Sequence, residues 1–463
     1  MSLSLDPASF RDPSGFVFYR EEILLRQVQR RYSSHYDHLM SSGLYGALAE
    51  AGMLIPHTED PLRYAVTEDA YRILRPERIP FVSYPYEWSF SQLQDAALAT
   101  LQIQQEALKA GMTLKDASAY NIQFKSSRPV LIDTLSFEIY EEGQPWTAYS
   151  QFCRHFLAPL ALMSKVDIRL SLLLRANIEG IPLDLASRLL SRSTWLNPGL
   201  LTHIHLHGAA QKRYEGDASE KTRSAGGVSR MAMRGILDSL ETAVKRLAWN
   251  PAGTTWADYY EHTNYSDRAM GAKKSSVSEL LDRVTPRPGL VWDLGANTGV
   301  FSRLASEQGA FTVAWDIDPA AVEKNYRECR DSKDTMLLPL VGDLTNPSPD
   351  LGWALRERRS VSARGPADVV MALALVHHLA IGNNVPLTMV AEFFATICKW
   401  AIVEFVPKSD SQVKRLLATR EDIFDGYTLE GFEAAFYPLF EVVQSTPVAD
   451  SDRVLYLMRA RVN

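Results

Sequence analysis

The sequence predicts an α/β protein in two parts, an open and mostly parallel sheet in the C-terminal half preceded by an α+β domain. Three observations carry this. Residues 291–301, Val-Trp-Asp-Leu-Gly-Ala-Asn-Thr-Gly-Val-Phe, run a hydrophobic strand into a glycine turn that opens a helix. A second apolar strand, Phe311 to Trp315, ends in Asp316-Ile-Asp-Pro319, giving the strand, helix, strand alternation of a parallel sheet. Between about 213 and 230 the chain becomes small, polar and aperiodic, which reads as a linker between segments each long enough to bury a core.

In the turn, Gly295 and Gly299 let the backbone bend sharply and approach a ligand. The helix from Phe301 to about Gln308 offers unpaired N–H groups, and Asp293 closes the strand. Asp316 follows Gly295 by 21 residues, about the spacing at which the acid ending a second strand grips a ribose. A dinucleotide fingerprint needs glycine at the third and sixth positions of the turn, where this chain has Asn297 and Val300, so the pyrophosphate reading loses. The remaining pattern, Asp-x-Gly-x-x-x-Gly, resembles motif I of the class I S-adenosylmethionine-dependent methyltransferases. That resemblance implies a Rossmann-like, seven-stranded sheet and a ligand with no phosphate but with a sulfonium and an amino-acid tail. It continues downstream. Val341-Gly342-Asp343 is similar to the third-strand acid that contacts the adenine amine, and Asp368 to Leu379 to the fourth strand and its loop. The resemblance thus makes Asp293, Gly295, Asn297, Gly299, Asp316 and Asp343 cofactor-binding residues.

The remaining C-terminal elements follow in order. Leu387 to Cys398 reads as helix and Ala401 to Val406 as a fifth strand. Phe440-Glu-Val-Val-Gln444 and Val454-Leu-Tyr-Leu-Met-Arg459 form a terminal hairpin that suits the antiparallel end of a methyltransferase sheet. Upstream, Met231 to Trp249 carries apolar residues at helical spacing, and Val277 to Val284 is a short helix leading into the glycine-turn strand. Trp256 to Lys274 mixes aromatic and polar groups that can fold over an adenosine and a sulfonium, since a cation lies well against a ring face. Tyr260, Tyr265 and Lys273 are the lid residues this reading selects.

Composition points to a soluble enzyme of a reducing compartment. The 463 residues are 46% hydrophobic and 22% charged, with a net charge of −6. Cys153, Cys329 and Cys398 are too few and too scattered for a disulfide framework or a Cys-x-x-Cys metal site. No signal-peptide run and no stretch of 18 apolar residues occur, so a cytoplasmic location without membrane attachment is expected. The acidic balance counts against a nucleic-acid partner.

The N-terminal half carries a second pattern. Asp116 and Asn121 stand in Asp-x-x-x-x-Asn spacing, and Asp133, in Pro129-Val-Leu-Ile-Asp-Thr-Leu, lies 12 residues beyond Asn121. These stretches resemble the catalytic loop and metal-binding strand of the protein-kinase-like fold, including the aminoglycoside phosphotransferases. There the first Asp orients the acceptor hydroxyl while the Asn and the second Asp hold magnesium on ATP. The surroundings agree with the fold: Gly15 to Tyr19 and Ile23 to Val28 as opening strands, Tyr36 to Ala51 as a helix, Phe81 to Trp88 as a hinge, and Phe90 to Gly111 as a long helix. They depart from the activity, because no glycine-rich loop and no Val-Ala-Ile-Lys strand are present, and Arg26 alone stands in for the missing lysine. The bland alternative is a recognition domain in which Asp116 caps a helix and Asn121 satisfies a turn.

His203, His205 and His207 alternate and would share a face on a strand, but their neighbours look helical, so no metal site is expected. His377 and His378 fall in the loop after strand four, where the methyl acceptor meets the sulfonium in methyltransferases. An imidazole there can accept a proton from a hydroxyl. The loop reads Ala374-Leu-Val-His-His378 in place of the Asn-Pro-Pro-Tyr of many N-methylating enzymes, which favours O-methylation.

The expectation is therefore a kinase-like or recognition domain over residues 1–215, a linker over 216–234 and a methyltransferase domain over 235–463. The cofactor is S-adenosylmethionine, with Mg-ATP at the N-terminal domain as a further option, and the acceptor is a small molecule or saccharide. The chain as a whole resembles a bacterial group of such enzymes labelled after a rhizobial nodulation protein. The alternatives are a bifunctional methyltransferase and phosphotransferase, an RNA methyltransferase, and a non-catalytic S-adenosylmethionine-binding module.

Overall fold

The structure, a computed structural model, describes residues 3–125, 127–210, 227–251, 267–418 and 420–461. The chain divides into two compact units, Met1–Asn250 with Gly352–Arg358, and Pro251–Leu351 with Arg359–Asn463.

In the first unit five antiparallel strands lie in the order β1 (Leu3–Leu5), β2 (Gly15–Arg20), β3 (Ile23–Gln29), β5 (Ala70–Pro76), β4 (His57–Asp60). Glu21 and Glu22 turn β2 into β3 with φ of 50° and 68°, the left-handed pair whose twist matches a two-residue hairpin. The single helix expected from Tyr36 to Ala51 is two, Ser33–Ser41 and Leu44–Glu50, because Gly43 between them is left-handed at φ 79° and ends the first ladder. Helix Phe90–Lys109 starts from a capping box in which Ser89 and Gln92 exchange hydrogen bonds. Two small hairpins follow, β6 (Met112–Leu114) with β9 (Phe137–Ile139) and β7 (Ile122–Lys125) with β8 (Arg128–Leu131).

Helix Arg230–Lys245 was expected to open the second domain, yet it belongs to the first unit. The Gln94 amide donates to the carbonyls of Val244 and Leu247 at 2.9 and 2.8 Å, and Met233, Leu237 and Leu240 are buried. The units accordingly divide at residue 250 and not at the expected 235.

The second unit holds a seven-stranded sheet in the order β12 (Leu337–Val341), β11 (Phe311–Asp316), β10 (Leu290–Leu294), β13 (Ala367–Ala372), β14 (Cys398–Phe405), β16 (Val454–Ala460), β15 (Phe440–Pro447). The first five in this list are parallel, and β16 runs antiparallel to both its neighbours. This is the α/β, Rossmann-like sheet expected. Its central strands are apolar along their length because both faces are covered. Val291, Val369, Met371, Ile402 and Leu457 pack with Val277, Leu280 and Leu281 of helix Asp267–Asp282, a longer helix than the Val277 to Val284 segment expected. No helix among the described residues is long and apolar enough to cross a membrane.

Candidate functional site

The site lies where strand order reverses. From β10 the chain proceeds to β11 on one side, while β13 on the other side comes later, and open α/β sheets bind ligands outside the carboxyl ends of such a pair.

Asp293, one residue before the end of β10, is 2% exposed and accepts a hydrogen bond from Ser302 Oγ at 2.6 Å. Burial pushes its carboxyl up to about 7, and the charge of Asp316 adds to the rise. The turn that follows holds three left-handed residues, Gly295, Asn297 and Gly299, at φ 75°, 51° and 81°. Asparagine tolerates this backbone, so the turn forms without a glycine at its third position. The amides of Gly295 and Ala296 both donate to the Trp315 carbonyl, at 2.8 and 2.9 Å, which pins the turn to β11. A Cβ at Gly299 would come within 2.5 Å of Asn325 Nδ2.

Asp316 ends β11 and stays with the turn. Its Oδ2 accepts from the Asn297 amide at 2.7 Å and its Oδ1 from the Asp318 amide at 2.8 Å, and burial pushes the group up to about 6. Asp318 serves elsewhere, capping helix Pro319–Ser332 by accepting from the Ala320 amide. Between the two acids Ile317 is exposed, offering an apolar surface beside the turn. Asp343, just past β12, folds back on Thr345 and accepts from its amide and hydroxyl at 2.8 and 2.6 Å.

On the other side of the switch point, β13 leads through left-handed Ala374 (φ 51°) to His377 and His378, whose rings lie 4.1 Å apart. His377 is 1% exposed and its Nδ1 has no hydrogen-bond partner among the described residues. Burial holds His377 well below the usual imidazole range, helped by His378, Arg453 and Lys273, and lowers His378 to about 4. Both rings are therefore neutral at pH 7, the form that can accept a proton.

Lys273, expected as a lid residue, lies in the interior. It is buried in helix Asp267–Asp282 with Nζ 2.6 Å from Glu404 Oε2, a carboxylate of the interior of this unit. Glu404 also meets Arg453 at 3.5 Å, and Arg453 meets Asp410 at 2.8 Å. Sequence reasoning missed Glu404, Arg453 and Asp410. A signal existed for the first, a lone carboxylate inside the apolar run Ala401-Ile-Val-Glu-Phe-Val, since acids are almost never fully buried unless paired. Tyr260 and Tyr265 lie outside the described residues.

In the first unit Asp116, Asn121 and Asp133 come together. Asp116 accepts from the Ser118 amide at 2.9 Å and from the side chains of Asn121 and Gln151; burial, then the nearby Asp133, raises its carboxyl above the usual range. Asp133 Oδ1 accepts from the Leu135 amide and from Arg26 Nη2, each at 2.8 Å. His203 lies between Tyr149 and Ser239, and His205 between Ser187 and Thr194, in a π-helical turn that does not gather the three histidines on one ligand.

No protein-family model matches the chain. It is 37% identical over 459 residues to nodulation protein NoeA of Rhizobium meliloti (strain 1021), covering 97% of this chain and 94% of that protein. Among solved structures it is similar to PH0226 protein from Pyrococcus horikoshii OT3, with 18% identity over 44% of this chain and 96% of that one, at a TM-score of 0.33. It is also similar to magnesium protoporphyrin IX methyltransferase from Synechocystis PCC 6803 with bound SAH, with 17% identity over 43% and 89% and a TM-score of 0.31. At these scores the two structures say nothing of activity here.

Proposed function

The chain belongs to the family of nodulation protein NoeA, and from that premise we propose that it is an S-adenosylmethionine-dependent methyltransferase acting on oxygen of a small-molecule or saccharide acceptor in the bacterial cytoplasm. The observation that carries the reading is the gathering of Asp293, the left-handed turn Gly295 to Gly299 and Asp316 at the switch point of a seven-stranded sheet with an antiparallel end. These residues fit the cofactor. Asp316 suits the ribose hydroxyls, the side of Ile317 and Asp343 suits adenine, and Asp293, buried and slow to ionise on its own, suits a cation that would stabilise its carboxylate.

Bound there, S-adenosylmethionine supplies an electrophilic methyl group. The protein's part is alignment and proton removal. His377 and His378, neutral and next to the switch point, accept the acceptor hydroxyl's proton, typically contributing roughly 100- to 10,000-fold. Calorimetry with S-adenosylhomocysteine tests the cofactor assignment: binding is expected, and no heat at millimolar ligand from folded protein would sink it.

A kinase-like first unit is supported by its strand order and by the meeting of Asp116, Asn121 and Asp133 after the long helix. Phosphotransfer is opposed by the Arg26 guanidinium, which sits on the Asp133 carboxylate where a magnesium ion would be needed. The first unit then serves acceptor recognition, and no ATP turnover is expected. An ATPase signal that disappears in Asp133→Ala would restore the bifunctional reading.

A further inference from the structure

Tyr149 of the short helix Tyr149–Phe152, His203 of the turn Leu201–Leu206 and Ser239 of helix Arg230–Lys245 form a chain of hydrogen bonds that ends on a cavity of the first unit. His203 is 2% exposed, and its turn is π-helical, a backbone form that recurs at functional sites. Its Nε2 lies 2.9 Å from Ser239 Oγ and its Nδ1 2.6 Å from the Tyr149 hydroxyl. Tyr149 gives its proton to the Cys153 thiol, so the phenol oxygen accepts from Nδ1–H, and Nε2 is left with the lone pair that takes the Ser239 proton. Burial lowers the imidazole to about 4, which keeps it neutral at pH 7. Ser239 is the exposed end of the chain. It lines a cavity of about 250 Å³ whose walls also include Asp238, Thr242 and Arg246 on one side and Asn197 and Gly199 on the other. A Cβ at Gly199 would stand 2.6 Å from Ala243 Cβ, so glycine is what lets the two walls meet at the floor.

A hydroxyl, an imidazole and a group that orients the imidazole, within hydrogen-bond reach in that order, are the parts of an activated nucleophile. A histidine kept for packing alone has no need of a hydroxyl that opens on a cavity. We propose that the first unit holds a second active site, in which Ser239 is the nucleophile and His203 the base that together cleave a small carboxylic ester seated in this cavity. Ser239 Oγ bonds to the carbonyl carbon as its proton passes to His203 Nε2. The ester C–O bond then breaks, and the alcohol leaves with that proton. Water attacks the acyl-serine, its proton crosses Nε2 back to Ser239, and the acid departs. Arg246 and Asn197 bring N–H donors to the same walls, the groups that a developing oxyanion needs. Tyr149 touches no substrate and is a positioning residue that holds the tautomer. This activity does not rest on the methyltransferase reading, whose residues lie in the second unit.

The test uses the full chain and two probes, p-nitrophenyl acetate and diisopropyl fluorophosphate, which bonds its phosphorus to an activated serine with loss of fluoride. Peptide mass spectrometry is expected to place the phosphoryl adduct on Ser239, and Ser239→Ala is expected to lose most of the p-nitrophenyl acetate turnover. His203→Gln should slow both reactions by about 100-fold or more. Tyr149→Phe keeps nucleophile and base and should lower kcat by about tenfold or more at unchanged KM, a split that a loosened fold does not produce. A folded wild type with no adduct on Ser239 at millimolar reagent overturns the proposal, as does an adduct that forms equally fast in folded His203→Gln. Where His203→Gln does not fold, Tyr149→Phe decides, since an unchanged kcat leaves the hydrogen-bond chain a packing device and overturns the proposal, while a lowered kcat upholds it. Equal turnover by Ser239→Ala and the wild type reports ester cleavage by other groups and overturns it too.

Discussion

A carboxyl group without water prefers its proton, and Asp293 shows what that does to both stability and binding. Raised to about 7 by burial, it stays protonated in the folded chain across a range where the unfolded chain has already released its proton near 3.8. The unfolded state therefore gains from rising pH, so this group's contribution to stability is fully present below about pH 4 and is lost by about pH 7. Asp293→Asn should flatten that loss: the fall in Tm of the ligand-free protein between pH 5 and pH 8 should shrink by several degrees, and parallel curves would show that Asp293 does not titrate in this window. A cationic ligand reverses the preference, because it favours the carboxylate. S-adenosylmethionine affinity should rise by about tenfold from pH 6 to pH 8 in the wild type, and Asp293→Asn should remove the dependence along with most of the binding. The histidines call for a different readout. A proton acceptor acts in the transition state, so His378→Ala should leave S-adenosylhomocysteine affinity within about threefold while lowering methyl transfer by about 100-fold or more. An unchanged rate would return both rings to a packing role.

At the scale of elements, the two acids that end β11 separate cleanly. Asp318→Ala removes the cap of helix Pro319–Ser332 and should cost about 1 kcal/mol of stability with little effect on the ligand. Asp316→Ala strips a partner from the Asn297 and Asp318 amides and should cost binding at least tenfold more than Asp318→Ala does, as calorimetry on the two variants would show. Equal losses would mean that the ribose acid has been misassigned. Distance along the chain and nearness to the strand end select Asp316 in the sequence, and the structure puts Asp316 on the turn and Asp318 at the helix cap. The parallel strands were legible too, since a strand covered on both faces must be apolar throughout. Local chemistry that acts against a smooth pattern was harder to read, as where Gly43 splits one expected helix in two. Least legible was the meeting of Lys273 and Arg453 on Glu404, because Glu404 and Arg453 lie more than a hundred residues from Lys273 and nothing in a local window announces which buried charges will meet.

The molecule as a whole divides into two compact units, and the place of helix Arg230–Lys245 in the first decides how it can be cut. Helix Arg230–Lys245 buries Met233, Leu237, Leu240 and Val244 within the first unit and holds the Gln94 amide with its last carbonyls, while every proposed cofactor residue lies beyond residue 250. A chain beginning at Met231 carries that apolar face without its partners and should aggregate. A chain of residues 251–463 leaves it behind. It keeps the whole seven-stranded sheet and should fold, binding S-adenosylhomocysteine within about tenfold of the full-length affinity, or about 1.4 kcal/mol. It also keeps Gly352–Arg358, which in the full chain belongs to the first unit, where Glu357 takes two hydrogen bonds from Arg11 at 2.9 and 2.8 Å and Arg358 lies 4.1 Å from the centre of the Tyr120 ring. Freed of those partners, this short segment should exchange its amides rapidly while β10, β11 and β13 stay protected, which hydrogen exchange read by mass spectrometry would resolve. If the shorter chain is insoluble and the longer one folds, the helix belongs with the second core and the division at residue 250 is wrong. If the shorter chain binds cofactor and also methylates the acceptor at the full rate, acceptor recognition does not reside in the first unit, and a separate task for Asp116, Asn121 and Asp133 must be sought there.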